Sequence, residues 1–292
     1  MKFGKVFSAG IWLMRRMRFG VKLGLVTLVV LVPLLFIAAE LVGRERSEIN
    51  MTRAELAGIT MVEDASALIR QLQTHRGQTN MVLSGNADAQ AARDKTRESL
   101  KVARDQLDGK VNSGGAAATS AAWKPLRERV DALVPSLQGK EAPASFALHT
   151  ALIEDLTRFV YGIANESSLL FDPDPVTYTL MDMAVSRLIP WTEQVGRLRG
   201  QGAGLLSQPT LPEGGVTRVL TQLDALDAWS QDVKYVQSLM SAMGVKDPLG
   251  DKALDASAGF SKLARERFAP GAAAGESQSY FNAEEHTSEL QI

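Results

Sequence analysis

One stretch near the start of the chain is apolar on every side of a helix. Residues 23–42 carry no charged side chain before Glu40. A helix of this length rises about 30 Å, which matches the hydrocarbon core of a bilayer. The pattern predicts a transmembrane helix over residues 23–42. A cleaved signal peptide is the alternative, but its apolar part is usually only about 7–15 residues long. A buried core helix fits less well, because such a helix seldom lacks a polar face.

The rest of the chain shows helical spacing of apolar residues and no sustained alternation of the kind that strands need. Clusters of Gly, Pro, Asn and Asp separate the helical segments and mark loops at residues 111–116 and 172–175. Pro190 lies inside one segment and is expected to bend it, leaving the carbonyl four residues earlier unpaired. We predict eight helices, at about 44–84, 87–108, 120–137, 143–171, 176–207, 215–242, 250–268 and 276 onward.

A short motif occurs twice and suggests an internal duplication. Arg76-Gly-Gln recurs as Arg199-Gly-Gln, 123 residues further on, at the same place in two long helices. We therefore predict an all-α protein, in which the transmembrane helix is followed by two four-helix-bundle-like halves, residues 44–172 and 173–292. The last predicted helix is shorter than its counterpart. We accordingly expect the chain to be truncated before a second transmembrane helix.

The charges are unevenly distributed along the chain. Lys and Arg total 32 and Asp and Glu total 33, but residues 1–22 hold six basic side chains and no acidic one. The remaining 26 basic and 33 acidic residues give a net charge of −7. A basic stub before an apolar helix predicts a cytoplasmic N-terminus, residues 1–22, and an exported body, which is periplasmic in a cell with two membranes. The near-neutral total of −1 rules out a globally basic nucleic-acid binder, so no nucleic-acid partner is expected.

The chemical repertoire of the chain is narrow. It has no cysteine and three scattered histidines, which argues against disulfides, thiolate zinc sites and a histidine-built metal site. We find no nucleophile–base set and no nucleotide-binding motif in the sequence. We therefore expect no enzymatic activity, no cofactor and no metal.

Arg76 is the most informative polar residue. Helical spacing places it on the same face as Ile69, Leu72 and Leu83, and an arginine on an apolar face needs a partner. One interpretation is a small anionic or carboxylate ligand between helices, bound by the candidate residues Arg76, His75, Asn80 and Arg199. The alternative is a structural arginine bonded to a glutamate or a backbone carbonyl of the next helix.

Several segments together resemble a known family. Residues 68–80 contain the pattern L-x-x-x-L-Q-x-x-R-G, and residues 169–182 and 187–203 continue the resemblance. Tyr280-Phe281 is similar to the Y-F pair that opens the final helix of such sensors. The chain resembles the extracytoplasmic helical sensor region of bacterial methyl-accepting chemotaxis proteins, of the type related to nitrate and nitrite sensing. Related regions precede diguanylate cyclases and histidine kinases.

The resemblance implies a periplasmic ligand-sensing region of a receptor in the bacterial inner membrane, with a chemotaxis transducer as the first expectation. The alternatives are the sensor of a membrane diguanylate cyclase or histidine kinase, or a membrane-anchored helical scaffold without a signalling role. It also implies that Arg76 contacts the ligand and that the receptor is a homodimer. Sensing could be direct or could pass through a periplasmic binding protein.

Overall fold

The computed structural model describes residue 12, residues 15–171 and residues 173–283. The prediction of an all-α protein is confirmed, since the described part of the chain contains helices and no strand. The chain divides into two compact units, residues 1–53 and residues 54–292. The prediction that bundle halves meet near residue 172 concerns the second unit and stays a prediction.

The first helix is much longer than predicted. α1 covers Phe19–Leu83, and Pro33 lies inside it. An 18-residue segment of this helix has a mean hydropathy of 2.7, and none of that segment is buried. The helix is therefore long and apolar enough to cross a membrane. The sequence predicted two helices here, over residues 23–42 and from residue 44. The charged residues that begin at Glu40 end the apolar segment, but the helix continues through them.

The remaining helices follow the predicted order closely. They are α2 (Ala89–Gly114), α3 (Ala117–Ser136), α4 (Ala142–Glu166), α5 (Pro175–Met181), a π-helix (Asp182–Leu188), α6 (Ile189–Leu206), α7 (Glu213–Ala242), α8 (Pro248–Arg267) and α9 (Ser277–Asn282). The predicted extension of the last helix to Ile292 lies outside the described residues.

One predicted loop is wrong. Residues 111–114 belong to α2 and not to a loop, and the connection to α3 is only Gly115 and Ala116. Val111 is 1% exposed and packs in the core, so its burial extends the helix through Asn and Gly residues that disfavour helical structure.

The π-helix at Asp182–Leu188 is how the chain accommodates Pro190. The proline has no backbone N–H, so the carbonyl four residues earlier, that of Ser186, cannot receive the usual helical bond. The Tyr161 hydroxyl reaches this Ser186 carbonyl at 3.5 Å from α4. The disturbance predicted at Pro190 takes the form of this π-helix, a feature that often occurs near functional sites.

Two hydrophobic clusters form the core of residues 54–292. The first joins α1 to α2, α3 and α4, and the second joins α6 to α7, α8 and α9. Their largest fully buried side chains include Trp123 and Leu72 in the first cluster and Trp191, Phe260 and Tyr280 in the second. Each cluster is built mainly by four helices, and the internal duplication stays a prediction.

The helices α1 and α6 approach each other closely at glycine residues. A Cβ atom added to Gly200 would lie 3.2 Å from the Cα of Gly77, and one added to Gly77 would collide with the Phe281 ring, so a side chain at either position would crowd its neighbours. Contacts from Gln73 to Gly196 and from Asn80 to Gly204 follow in the same order along both helices. The helices therefore run parallel, and Gly77 and Gly200 are equivalent positions in the duplicated motif.

Candidate functional site

Arg76 lies at this crossing with none of its surface exposed. Its Nη1 donates to Glu193 Oε1 at 2.7 Å and to Thr150 Oγ1 at 2.9 Å, and its Nη2 donates to Glu193 Oε2 at 3.1 Å. Both carboxylate oxygens therefore accept from the planar fork of one guanidinium, which is the strongest pairing geometry available to arginine. Arg76 on α1 is tied in this way to both α4 and α6.

Glu193 is the centre of a wider network. Besides Arg76, its carboxylate accepts from Gln73 Nε2 at 2.9 Å and from Arg197 Nε at 2.7 Å. Burial raises the pKa of the Glu193 carboxyl, but the charges and hydrogen bonds of Arg76 and Arg197 outweigh burial and hold it below the ordinary value. Glu193 is consequently ionised at neutral pH although only 6% of its surface is exposed.

The arginines of the two repeats have matching surroundings. The Cζ atom of Arg76 lies 4.7 Å from the centre of the Phe146 ring, and that of Arg199 lies 4.5 Å from the centre of the Phe281 ring. Phe146 lies on α4 and Phe281 on α9, and each contact is a cation–π interaction. Arg199 also reaches Thr74 Oγ1 at 3.4 Å.

His75 points away from this network toward α4. His149 Nδ1 lies 2.8 Å from the Ser145 carbonyl, and His75 Nδ1 lies 2.8 Å from His149 Nε2. Because a carbonyl only accepts, His149 donates through Nδ1 and its Nε2 accepts from His75. Burial is the main cause that lowers the pKa of His75 to about 3 and that of His149 to about 4. Both rings are neutral at physiological pH.

A cavity of about 700 Å³ opens beside the crossing between α1, α4, α6 and α7. Asn80 lines it and also donates from Nδ2 to the Gly200 carbonyl at 2.8 Å. The polar or charged side chains of the lining include Asn80, Ser84, Thr150, Glu154, Arg197, Gln201, Arg218 and Gln222. Two partners of Arg76, Phe146 and Thr150, belong to the same wall, so the ion pair lies directly behind the cavity surface.

The structure brings the four predicted residues near one crossing but not into one pocket. Asn80 faces the cavity, Arg76 lies behind its wall, Arg199 stacks on Phe281, and His75 belongs to the histidine pair. Whether any of them contacts a ligand stays a prediction. The glutamate expected by the alternative interpretation exists, and it is Glu193.

Sequence reasoning missed Glu193, Gln73, Arg197 and Thr150. The predicted burial of Arg76 indicated that it needs a carboxylate partner. The sequence contains several glutamates on other predicted helices, and nothing in it shows which of them is that partner. Glu193 and Arg197 are four residues apart, a spacing that favours an ion pair on one face of a helix. This spacing was the one sequence feature that could have indicated Glu193 as part of a charged cluster.

The fold and this network define an all-helical domain in which a buried polar cluster joins α1, α4 and α6 beside an open cavity. The sequence model of the family described as "Nitrate and nitrite sensing" matches residues 67–286. The chain belongs to this family, and the resemblance to a nitrate- and nitrite-sensing type of sensor region is confirmed.

A solved structure shares the fold. The chain is similar to the one described as "Structure of the NasR transcription antiterminator", with a TM-score of 0.62 and 17% sequence identity. The similarity covers 87% of this chain and 70% of that chain. A comparison with curated proteins gave no match.

Proposed function

We propose that this chain is the sensor region of a membrane-anchored signalling receptor and that it binds nitrate or nitrite beside the α1–α6 crossing. The observation that carries the proposal is Arg76, a buried guanidinium fork directly behind the wall of a 700 Å³ cavity. A guanidinium fork matches the planar arrangement of oxygen atoms in nitrate and nitrite. Membership of the nitrate- and nitrite-sensing family supports this choice of ligand.

The cavity has the properties that a small anion requires. Arg197 and Arg218 line it together with the Glu154 carboxylate, which pairs with Arg197, and Asn80 and Thr150 add neutral hydrogen-bonding groups. Its volume lies within the usual range for small-molecule sites, and its wall is formed by both repeats. An anion bound there would contact α1 and α6 together and so could change their relative position.

Ligand binding is expected to raise the melting temperature of the full chain in lipid nanodiscs. An anion at 100 times its dissociation constant adds about 2.7 kcal/mol of stability. We expect nitrate or nitrite to produce this shift in the wild type and to lose most of it in Arg76→Gln. Arg129→Gln is the matched control, because Arg129 forms a surface ion pair with Asp155.

Sodium chloride at the same concentration controls for ionic strength. The binding site at Arg76 is abandoned if neither anion stabilises the wild type more than chloride does. It is abandoned also if Arg76→Gln responds as strongly as the wild type.

We propose further that α1 spans the bacterial inner membrane with the basic N-terminal residues in the cytoplasm and residues 54–283 in the periplasm. The apolar part of α1 and the six basic residues before it support this orientation. Since the chain has no cysteine, a single introduced cysteine reports its own location.

A membrane-impermeant thiol reagent is expected to label Ser113→Cys in intact cells whose outer membrane has been made permeable. Ser113 is exposed at the end of α2. Ser8→Cys should react only after the inner membrane is disrupted. Labelling of Ser8→Cys and not of Ser113→Cys in intact cells would show the opposite orientation.

We propose a methyl-accepting chemotaxis transducer as the receptor class, and a homodimer as its assembly. The resemblance of residues 169–203 to sensor regions of such transducers supports this choice. Joining residues 1–292 to the second transmembrane helix and the cytoplasmic signalling module of a chemotaxis transducer tests it, with nitrate-dependent swimming bias as the expected response. A chimaera that binds nitrate but gives no response would argue for the cyclase or kinase class.

A further inference from the structure

We infer that the Glu193 carboxylate is a built-in substitute for the ligand, and that a nitrate-like anion binds at Arg76 by displacing it. The inference rests on the proposed function, because it names the residue that sets the affinity of that same site. Glu193 would thereby act as an affinity-determining residue that competes with the ligand.

The donors around Glu193 already form a complete site for a planar oxyanion. Arg76 Nη1 and Nη2, Gln73 Nε2 and Arg197 Nε all donate to its two oxygens at 2.7–3.1 Å. A carboxylate and a nitrate both present two oxygens on one planar centre, so each can accept from the two nitrogens of a guanidinium fork. The Arg76 and Gln73 donors that hold Glu193 can therefore hold a bound nitrate in its place.

Both anions cannot use the Arg76 fork at once. Its Nη1 and Nη2 are directed at the two Glu193 oxygens, and Nη1 is shared only with the neutral Thr150 hydroxyl. A second anion placed against Glu193 would meet a like charge in a buried region, which is strongly unfavourable. Binding at Arg76 therefore requires the Glu193 carboxylate to leave.

Glu193 has a place to go when it leaves. Arg197 is one helical turn further along α6, pairs with Glu193 and Glu154 together, and lines the cavity with a quarter of its side chain exposed. A rotation of Glu193 toward the cavity would keep the Arg197 contact while releasing Arg76 and Gln73. The Glu193 carboxylate then pairs with Arg197, and the Arg76 guanidinium pairs with the bound anion. A buried charge left without a partner would cost several kcal/mol, and the exchange avoids that cost.

The exchange has a structural consequence. Glu193 is a residue of α6, so its ion pair with Arg76 connects α6 to α1. A free anion bound to Arg76 would not connect the two helices. The two helices meet at Gly77 and Gly200 without intervening side chains, so the ion pair is a strong lateral connection at this crossing. Ligand binding would replace a connection between the two repeats with a contact to a diffusible ion.

Calorimetric titration of the full chain in nanodiscs with sodium nitrate tests the inference. Glu193→Gln removes the competing charge and is expected to bind nitrate about tenfold more tightly than the wild type, a typical coupling between two sites. Glu154→Gln is the control, because it removes a carboxylate from the same Arg197 but not from Arg76. We expect its nitrate affinity to stay within about twofold of that of the wild type.

The outcomes separate this inference from the proposed function. If the wild type binds nitrate and Glu193→Gln binds it no more tightly, Glu193 does not compete and the inference fails, while the nitrate site stands. If neither protein binds nitrate, both fail. If Glu193→Gln is unfolded without anions, nitrate should restore its melting transition and equal chloride should not; failure of nitrate to restore it overturns the inference.

Discussion

Replacing Arg76 with methionine is expected to lower the free energy of unfolding by about 3–5 kcal/mol. The substitution keeps most of the apolar contact with Phe146 but removes every charged donor that Arg76 offers to Glu193. Glu193 is then a buried carboxylate held only by Gln73 and Arg197. Urea unfolding of the full chain in detergent, followed by circular dichroism, measures the loss.

Two further proteins make the result specific. Arg265→Met removes a half-exposed arginine bound to Asp224 and Asp227, and surface ion pairs of this kind contribute about 0–1 kcal/mol. The double substitution Arg76→Met with Glu193→Leu removes both buried charges and should recover much of the loss. If Arg76→Met costs no more than Arg265→Met, the buried network does not hold the crossing together.

Acid is expected to destabilise the protein well before its carboxylates titrate. In the unfolded chain each histidine has a pKa near 6.5, whereas burial lowers the pKa of His75 to about 3 and that of His149 to about 4. Below pH 6.5 the unfolded chain binds protons that the folded protein does not, so stability falls as the pH falls. Each histidine contributes about 1.4 kcal/mol per pH unit, and the pair roughly 4 kcal/mol at pH 5.

Unfolding experiments between pH 7.5 and pH 5 measure this effect. The window lies above the pKa of ordinary carboxyl groups, so the lowered pKa of Glu193 adds little within it. Replacing both His75 and His149 with glutamine should make stability nearly independent of pH over the same range. An equally steep loss in that double variant would show that other groups cause it.

The helices could be predicted from the sequence because their apolar residues recur with helical spacing and their ends carry Gly, Pro and Asp. Asp174 illustrates this, since it accepts hydrogen bonds from the backbone of Val176 and Thr177 at the start of α5. The π-helix was not predictable in the same way. Pro190 signalled a disturbance, but short-range spacing did not show that it would take the form of a π-helix.

The candidate site shows the same limit at the level of single residues. The spacing of Arg76 on an apolar face correctly indicated burial and the need for a partner. It could not select Glu193, which is 117 residues away in sequence and is brought near by the parallel crossing at Gly77 and Gly200. The pairing of His75 with His149 could not be predicted either. The two residues are 74 positions apart, and no short-range pattern indicates which residue of α4 packs against His75 on α1.

The sequence by itself therefore determined the helical class, the apolar N-terminal segment and the burial of Arg76, because these follow from short-range spacing and from hydrophobicity. Only the tertiary structure decided that Arg76 pairs with Glu193, that His75 pairs with His149, and that a cavity opens beside both repeats. Those features depend on which helix faces contact each other and on the distance between the helices. Two glycines, which leave no side chain between α1 and α6, set that closeness.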